Sequence, residues 1–540
     1  MTATESAAEQ CWYLREDVYF EPLFNQWYAW PYLIPPATAA RHLVNTHRRI
    51  MKSFVNNHQI HILANKERDL AGSEYLDCRE DQLPSIRALI ETIDAECAPL
   101  VALSQAIGEL EELLRMHTSG ESIEPLYARV PELLKGYVEL FMDGEHRASY
   151  RLIEPLLYHS EFYRPDLQSL CFGLLARVDE RPFVFSTPRL PDENHLQVQL
   201  PFADPRVDRL FAARERPLSQ AELDALCDGV DSCGGLGLRD LFTMQPPLYL
   251  HAPIEDAVRV NYLGHAGFLI EGPEVSVLVD PVVASRSCEN PDAVISFSEL
   301  PARIDYICLT HSHQDHVNIE TLLQLRYKTN KIVAPKNNGG GLFDPSIKLM
   351  LRALGFDVIE AEDLDQIAIP GGKIVAMPFL GEHGDLNIRS KAAWYIELHG
   401  RKFFFGADSS NLEHRLYEKL SNLYADFDIL AVGMECVGAP YTWLYGALTT
   451  KPVSKAVKNS RRLNGSDFAR ALPMSLAFKP KRVFVYALGR EPWYRYFTGL
   501  EYHDDSRQIV ESNKMVEACR ERGIEAECMY GKKSVQFDLA

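Results

Sequence analysis

Apolar positions in the first half of the chain recur at spacings of three and four. Residues 86–116 (IRALIETIDAECAPLVALSQAIGELEELLRM) and 130–144 (VPELLKGYVELFMDG) keep this period with few breakers, and both predict helices. The aromatic stretch at 19–36, YFEPLFNQWYAWPYLIPP, predicts packing against the core or a partner subunit rather than a pocket lining. At 233–253 the pattern loosens into CGGLGLRDLFTMQPPLYLHAP, whose paired glycines and prolines mark loops or a linker and place a boundary near residue 250. Beyond it, short β-rich runs (VRVNYLG, FLIEG, VSVLVDP, YICLT, KIVAP, KIVAMPF, AWYIEL, KFFFGAD, DILAVGM, KRVFVYAL) alternate with helix-like ones. The expected organisation is a helix-rich domain over residues 1–250 and an α/β or layered α+β domain over 251–540, the α+β sandwich being the choice that the resemblance given below implies.

Size and charge narrow the choice. With 540 residues, 46% hydrophobic and 24% charged, the chain has enough apolar material for more than one packed core. A formal net charge of -19 argues against unaided binding to nucleic acid or an anionic membrane. No run reaches the ~18 apolar residues of a membrane-spanning helix, and the opening MTATESAAEQ lacks a basic or apolar leader pattern, so a cytoplasmic protein is expected. Eleven cysteines without a CxxC pair suggest buried thiols rather than a disulfide framework or a thiolate zinc site.

The chemistry concentrates in Thr310-His311-Ser312-His313-Gln314-Asp315-His316, between the apolar run IDYICLT and the helical pattern VNIETLLQLR. Alternate residues of an extended segment share a face, and the following turn brings Asp315 and His316 round to it. Two adjacent metals suit that arrangement, His311 and His313 holding one, Asp315 and His316 the other. Histidines also gather on surface loops, but residue type, spacing and strand context agree here.

HxHxDH after a strand, preceded by YLGHAGFLIEGPEVSVLVDP, resembles the metallo-β-lactamase superfamily. The resemblance covers about residues 258–540 and implies an αββα sandwich with metals at one edge of the two sheets. Asp280 matches the family's aspartate that orients a ligand from behind. His265 in GHAG is either near the site or structural. Hydrolases of the superfamily add a third histidine, a bridging aspartate and a last histidine. Asp408, closing KFFFGAD, matches the aspartate; Glu382 in GEHGD stands where the third histidine is expected, with His383 and Asp385 as competitors. The last strand, KRVFVYALGRE, ends without a histidine. Three imidazoles and three carboxylates with open positions suit iron that binds dioxygen, although manganese and zinc also accept such ligands.

That combination, with a helix-rich N-terminal domain, resembles the di-iron aminoacyl β-hydroxylases of non-ribosomal peptide biosynthesis, the chloramphenicol-pathway type, over nearly the whole chain. The resemblance implies two iron ions held by His311, His313, Asp315, His316, Glu382 and Asp408, with Glu435 in ILAVGMECVG behind them or switching into ligation. It further implies O2-dependent hydroxylation of an amino acid tethered as a thioester to a peptidyl carrier protein. An external electron donor and a homodimer, its N-terminal domain helping to shape the substrate channel, complete the expectation. A binuclear zinc hydrolase acting on a phosphoester, lactone or thioester is the alternative, and a metal-stabilised scaffold a third.

Three further features carry weaker expectations. The basic run Lys451, Lys455, Lys458, Arg461 and Arg462 is a candidate docking face for an acidic carrier or a solvated surface. Tyr441, Trp443, Tyr445, Trp493 and Tyr494 either shape the substrate pocket or pack in the core. Residues 336–341, KNNGGG, lack the ending of a phosphate-binding loop and read as a flexible loop bordering the entrance.

Overall fold

The computed structural model describes residues 11–66, 74–177, 180–248, 250–286, 293–499 and 501–539. The opening ten residues, read above for a leader pattern, lie outside the described residues. Two seven-stranded sheets form the C-terminal half. The first pairs Ala257–Gly264 antiparallel with Gly267–Glu271 and that strand with Ser276–Val279; Ile304–Cys308, Thr329–Pro335 and Val358–Ala361 continue it in parallel, and Lys533–Asp538 closes the other edge. The second runs from Gln366–Ile369 through Gly372–Met377, Ala393–Leu398, Arg401–Phe405, Ile429–Gly433 and Arg482–Tyr486 to Glu525–Cys528.

Burial on both faces explains why these strands read as continuous apolar runs. Val260, Phe268, Val277, Trp394, Phe403 and Phe405 fill the space between the sheets. The outer face of the second sheet is covered by His414–Ser421, Phe468–Ala477 and Arg507–Arg520, through residues such as Tyr417, Met474 and Met515. The N-terminal half covers the outer face of the first sheet, and one continuous core joins Leu269, Leu278 and Ile307 to Phe20, Trp30 and Leu103. Among the described residues no helix is long and apolar enough to cross a membrane.

Residues 86–116 are helical as expected, divided at Cys97 into Leu83–Glu96 and Ala98–Met116, with Pro99 in the first turn of the second helix. Residues 130–144 are not a helix. They form a short 3-10 turn, Glu132–Leu134, and the strand Val138–Met142, which pairs with Ala148–Leu152. Gly136, at φ +84, stops the helical turn, and from Val138 onward buried Val138 and Leu140 alternate with exposed Glu139 and Phe141. The aromatic stretch at 19–36 is packed as expected: Val18–Phe24 is buried throughout and is an inner strand of a five-stranded antiparallel sheet, which the N-terminal half holds in addition to its helices. Residues 336–341 form a loop, as expected, and Gly340 pins it against the N-terminal half. Leu152 N donates to Gly340 O at 2.8 Å, and a Cβ on Gly340, at φ +104, would lie 2.2 Å from Leu152 O.

Glu154 ties the halves together beside that contact. It accepts from Asn337 Nδ2 and from Ser346 N, each at 2.9 Å, and burial pushes its carboxyl up to about 7. The folded protein therefore keeps this proton at pH values where the unfolded chain has released it. Its stabilising effect is complete below about 4.5 and is lost as pH rises to 7. Glu154→Gln should accordingly gain on the wild type between pH 5 and pH 8, by roughly 2–3 kcal/mol, in denaturant titrations. A stability difference between the two that is constant with pH would contradict this.

Candidate active site

The site lies where the C-terminal ends of the first sheet's strands meet the loops of the second. Strand Ile304–Cys308 delivers Thr310 and His311, and helix Ile319–Leu325 starts just after His316, capped by Asn318, whose side chain accepts from Thr321 N at 2.8 Å. The turn between them is closed by His316 N and Val317 N donating to His313 O, and it folds four ligand-type side chains inward. His311 and His316 are fully buried and His313 is 3% exposed. Asp408 follows strand Arg401–Phe405, with space left for it by Gly433, where a Cβ would lie 2.6 Å from Asp408 Oδ1.

Three close groupings of ligand atoms result, each within 4.8 Å: His311, His313 and Glu382; His311, His316 and Asp408; and His265, Asp315 and His316. His313 Nδ1 lies 2.8 Å from Glu382 Oε1, and His316 Nε2 lies 3.1 Å from Asp408 Oδ2. The six residues singled out from the sequence are thus brought together, with Asp408 between the two ends. His265 joins them through Asp315 Oδ2 at 3.0 Å. Glu435 stands outside all three groupings, as does His383, although the His383 ring is 4.7 Å from that of His313. Asp385 is exposed and belongs to none of the groupings.

The cluster is supported from behind. Asp280, with no exposed surface, accepts from Thr310 N at 2.7 Å and Thr310 Oγ1 at 2.5 Å, and lies 2.8 Å from His316 Nδ1. This fixes the His316 ring with Nε2 turned toward Asp408. Tyr445, read from the sequence only as a pocket or core aromatic, is fully buried with its hydroxyl 2.8 Å from His313 Nε2 and 2.9 Å from His383 Nδ1. Nothing local in the sequence marks that role, since Tyr445 and His313 meet only through the fold. Lys391 Nζ donates to Gly381 O at 3.2 Å. Of the other aromatics, Tyr494 is core, its hydroxyl donating to Leu263 O and Val282 O.

The electrostatics describe a site built around positive charge. Burial and then Asp408 and Asp315 push the Glu382 carboxyl well above the usual range, and burial with Asp408 and Glu382 does the same to Glu435. Burial opposes a charge on His316, yet Asp408, Asp315 and Asp280 hold its proton affinity well above an ordinary histidine's. Burial pushes His311 well down and His313 down to about 4, leaving neutral imidazoles with free lone pairs. His311 Nε2, Glu382 Oε2 and Asp408 Oδ1 are buried without a hydrogen-bond partner. Orphaned nitrogen and oxygen donors at this spacing, among mutually repelling carboxylates, fit two divalent or trivalent cations. Removing the Tyr445 hydroxyl while keeping its ring, Tyr445→Phe, should weaken metal binding by about tenfold, read by metal retention during dialysis, because His313 loses the partner that fixes its ring.

Two sheets with HxHxDH at their shared edge define a metallo-β-lactamase fold, and the comparisons carry the assignment further. Residues 13–246 match the model of the diiron non-heme beta-hydroxylase N-terminal domain, and residues 276–466 match the beta-lactamase superfamily domain. The chain is 35% identical over 97% of its length, and 99% of the relative's, to the 4-amino-L-phenylalanyl-[CmlP-peptidyl-carrier-protein] 3-hydroxylase of Streptomyces venezuelae. The crystal structure of CmlA, a diiron β-hydroxylase from Streptomyces venezuelae, superposes with a TM-score of 0.89 at 34% identity, covering 98% of this chain and all of that one. The chain belongs to the diiron non-heme β-hydroxylase family. A metal-dependent hydrolase from Methylocella silvestris is 26% identical over 32% of this chain and 88% of its own.

Proposed function

We propose that this protein uses two iron ions and O2 to β-hydroxylate an amino acid held as a thioester on a peptidyl carrier protein, in the biosynthesis of a non-ribosomal peptide. The observation that carries the reading is the joining of His311, His313, Glu382, Asp315, His316 and Asp408 in one buried cluster, within a chain that matches a carrier-protein-dependent 3-hydroxylase from end to end. Glu382 in place of a third histidine, together with that full-length match, favours the hydroxylase over a zinc hydrolase, whose relatives match about a third of the chain.

In the proposed site His311, His313 and Glu382 would hold one iron and Asp315 and His316 the other, with Asp408 available to both. Such a pair, when bound and reduced, supplies the activation of O2 needed to replace a β-hydrogen by hydroxyl. The chain's own residues hold the ligands and keep water out. Asp280 and Thr310 orient His316, Tyr445 orients His313, and Phe379 packs 5.8 Å from the His311 ring. Glu435, half-buried and carrying a raised proton affinity, stands close enough in charge to Asp408 and Glu382 to respond to any change there. The electrons come from an external donor and the protein works as a homodimer, two inferences resting on the family resemblance; its expected place is the cytoplasm.

The five cations of the basic run stand in different environments. Lys458 pairs with Glu74, Arg461 turns inward onto Gly384 O, and Arg462 is half-buried toward Glu435, leaving Lys451 and Lys455 exposed. The test of the function is single turnover of the reduced, iron-loaded protein with O2. Oxidation is expected to be much faster with aminoacyl carrier protein than with the free amino acid; equal rates would overturn the dependence on the carrier.

A further inference from the structure

The turn that presents Glu382 runs against ordinary backbone preference. Gly381 (φ +85), Glu382 (φ +72), Gly384 (φ +57) and Asp385 (φ +59) all lie in the left-handed region. At Gly384 the space is closed as well, since a Cβ there would lie 2.5 Å from Tyr441 Cβ. Such a turn persists only if something outside it holds it, and two cations hold its carbonyls. Lys391 Nζ takes Gly381 O from within the site, where Lys391 also pairs across a β-bridge with His311. Arg461 Nε donates to Gly384 O at 2.7 Å from outside the site.

Arg461 is well placed to link parts. Its guanidinium lies 4.2 Å over the Tyr441 ring, its carbonyl accepts from Tyr441 N at 3.1 Å, and its own N–H donates to Val457 O at 3.1 Å, ending the exposed helix Lys455–Ser460. That helix is tied at Lys458 to Glu74 of the N-terminal half. Past Arg461 the chain runs back beside the segment that carries Glu435, with Leu463 N donating to Ala439 O and Gly465 N to Glu435 O, each at 2.9 Å. One side chain therefore joins a surface helix, the Glu382 turn and the Glu435 segment.

We propose that Arg461 is a positioning residue that holds the Glu382 turn in its left-handed form, so that the seating of helix Lys455–Ser460 sets where Glu382 stands among the metal ligands. This rests on the reading of Glu382 as a ligand. The test is a Co(II) titration of the apoprotein followed by its visible d–d bands, which needs no hydroxylase activity. Arg461→Met keeps the aliphatic stem on Tyr441 and deletes the donor; Arg461→Lys keeps a donor. The Met variant should bind one of its two Co(II) equivalents at least tenfold more weakly and with an altered band. The Lys variant should stay within about threefold of wild type, and both should melt within a few degrees of it. A Met variant identical to wild type, or Met and Lys variants equally impaired, would overturn the proposal. Unchanged Co(II) binding in Glu382→Ala would instead remove the ligand reading on which it rests.

Discussion

Glu382→Ala is expected to purify with about half the iron of the wild type and to lose β-hydroxylation, whereas His383→Ala should keep both irons. Glu382 lies 2.8 Å from His313 Nδ1 and shares a close grouping of ligand atoms with His311 and His313, while among the described residues no such grouping includes His383. The His383 Nδ1 is engaged by the Tyr445 hydroxyl, and its Nε2, buried without a partner, lies outside those groupings. Loss of a direct ligand should exceed the 10–100-fold penalty typical for a residue that only supports one, so metal affinity at that position should fall by roughly 100-fold or more. Metal analysis after dialysis reads the outcome. Iron lost from His383→Ala and retained by Glu382→Ala would reverse the assignment.

Asp280→Asn should be nearly as damaging without touching a metal. Asp280 takes the backbone and hydroxyl donors of Thr310 and the Nδ1 of His316, all in a fully buried position. An amide keeps one acceptor oxygen but sets an NH2 group against one of those donors, which leaves buried polar groups unpaired and frees the His316 ring to turn. Asparagine tolerates the positive φ of +38 at this position, so the change isolates the electrostatic role from backbone strain. Metal affinity should fall about 10–100-fold, and folding stability by about 1–3 kcal/mol. Wild-type metal affinity in Asp280→Asn would show that His316 is oriented by something else.

How much of this could be read in the sequence follows from how local each feature is. His311, His313, Asp315 and His316 fall within one turn, so their spacing alone marks a metal site. Asp408 was legible because a carboxylate ends an apolar strand. Glu382 needed the family resemblance, since His383 and Asp385 flank it, and only the fold shows Asp385 exposed and His383 drawn toward Tyr445. Tyr445 was missed as a partner of His313 because 132 residues separate them. The basic run shows the same limit: charge along the chain does not show that Arg461 turns onto Gly384 O or that Lys458 pairs with Glu74 at the surface. At 130–144 the spacing of apolar residues fitted a helix, but a hairpin won once Gly136 broke the turn and Val138 and Leu140 found a shared buried face.

This buried cluster is expected to insert one oxygen atom of O2 at the β-carbon of a carrier-bound amino acid. The most direct measurement is mass spectrometry of an aminoacyl carrier protein after incubation with the reduced, iron-loaded protein under 18O2. The expected product is heavier by one 18O atom, still attached to the carrier and hydroxylated at the β-carbon. Release of the free amino acid from the carrier, or an oxygen drawn from water, would contradict it and point to hydrolysis instead.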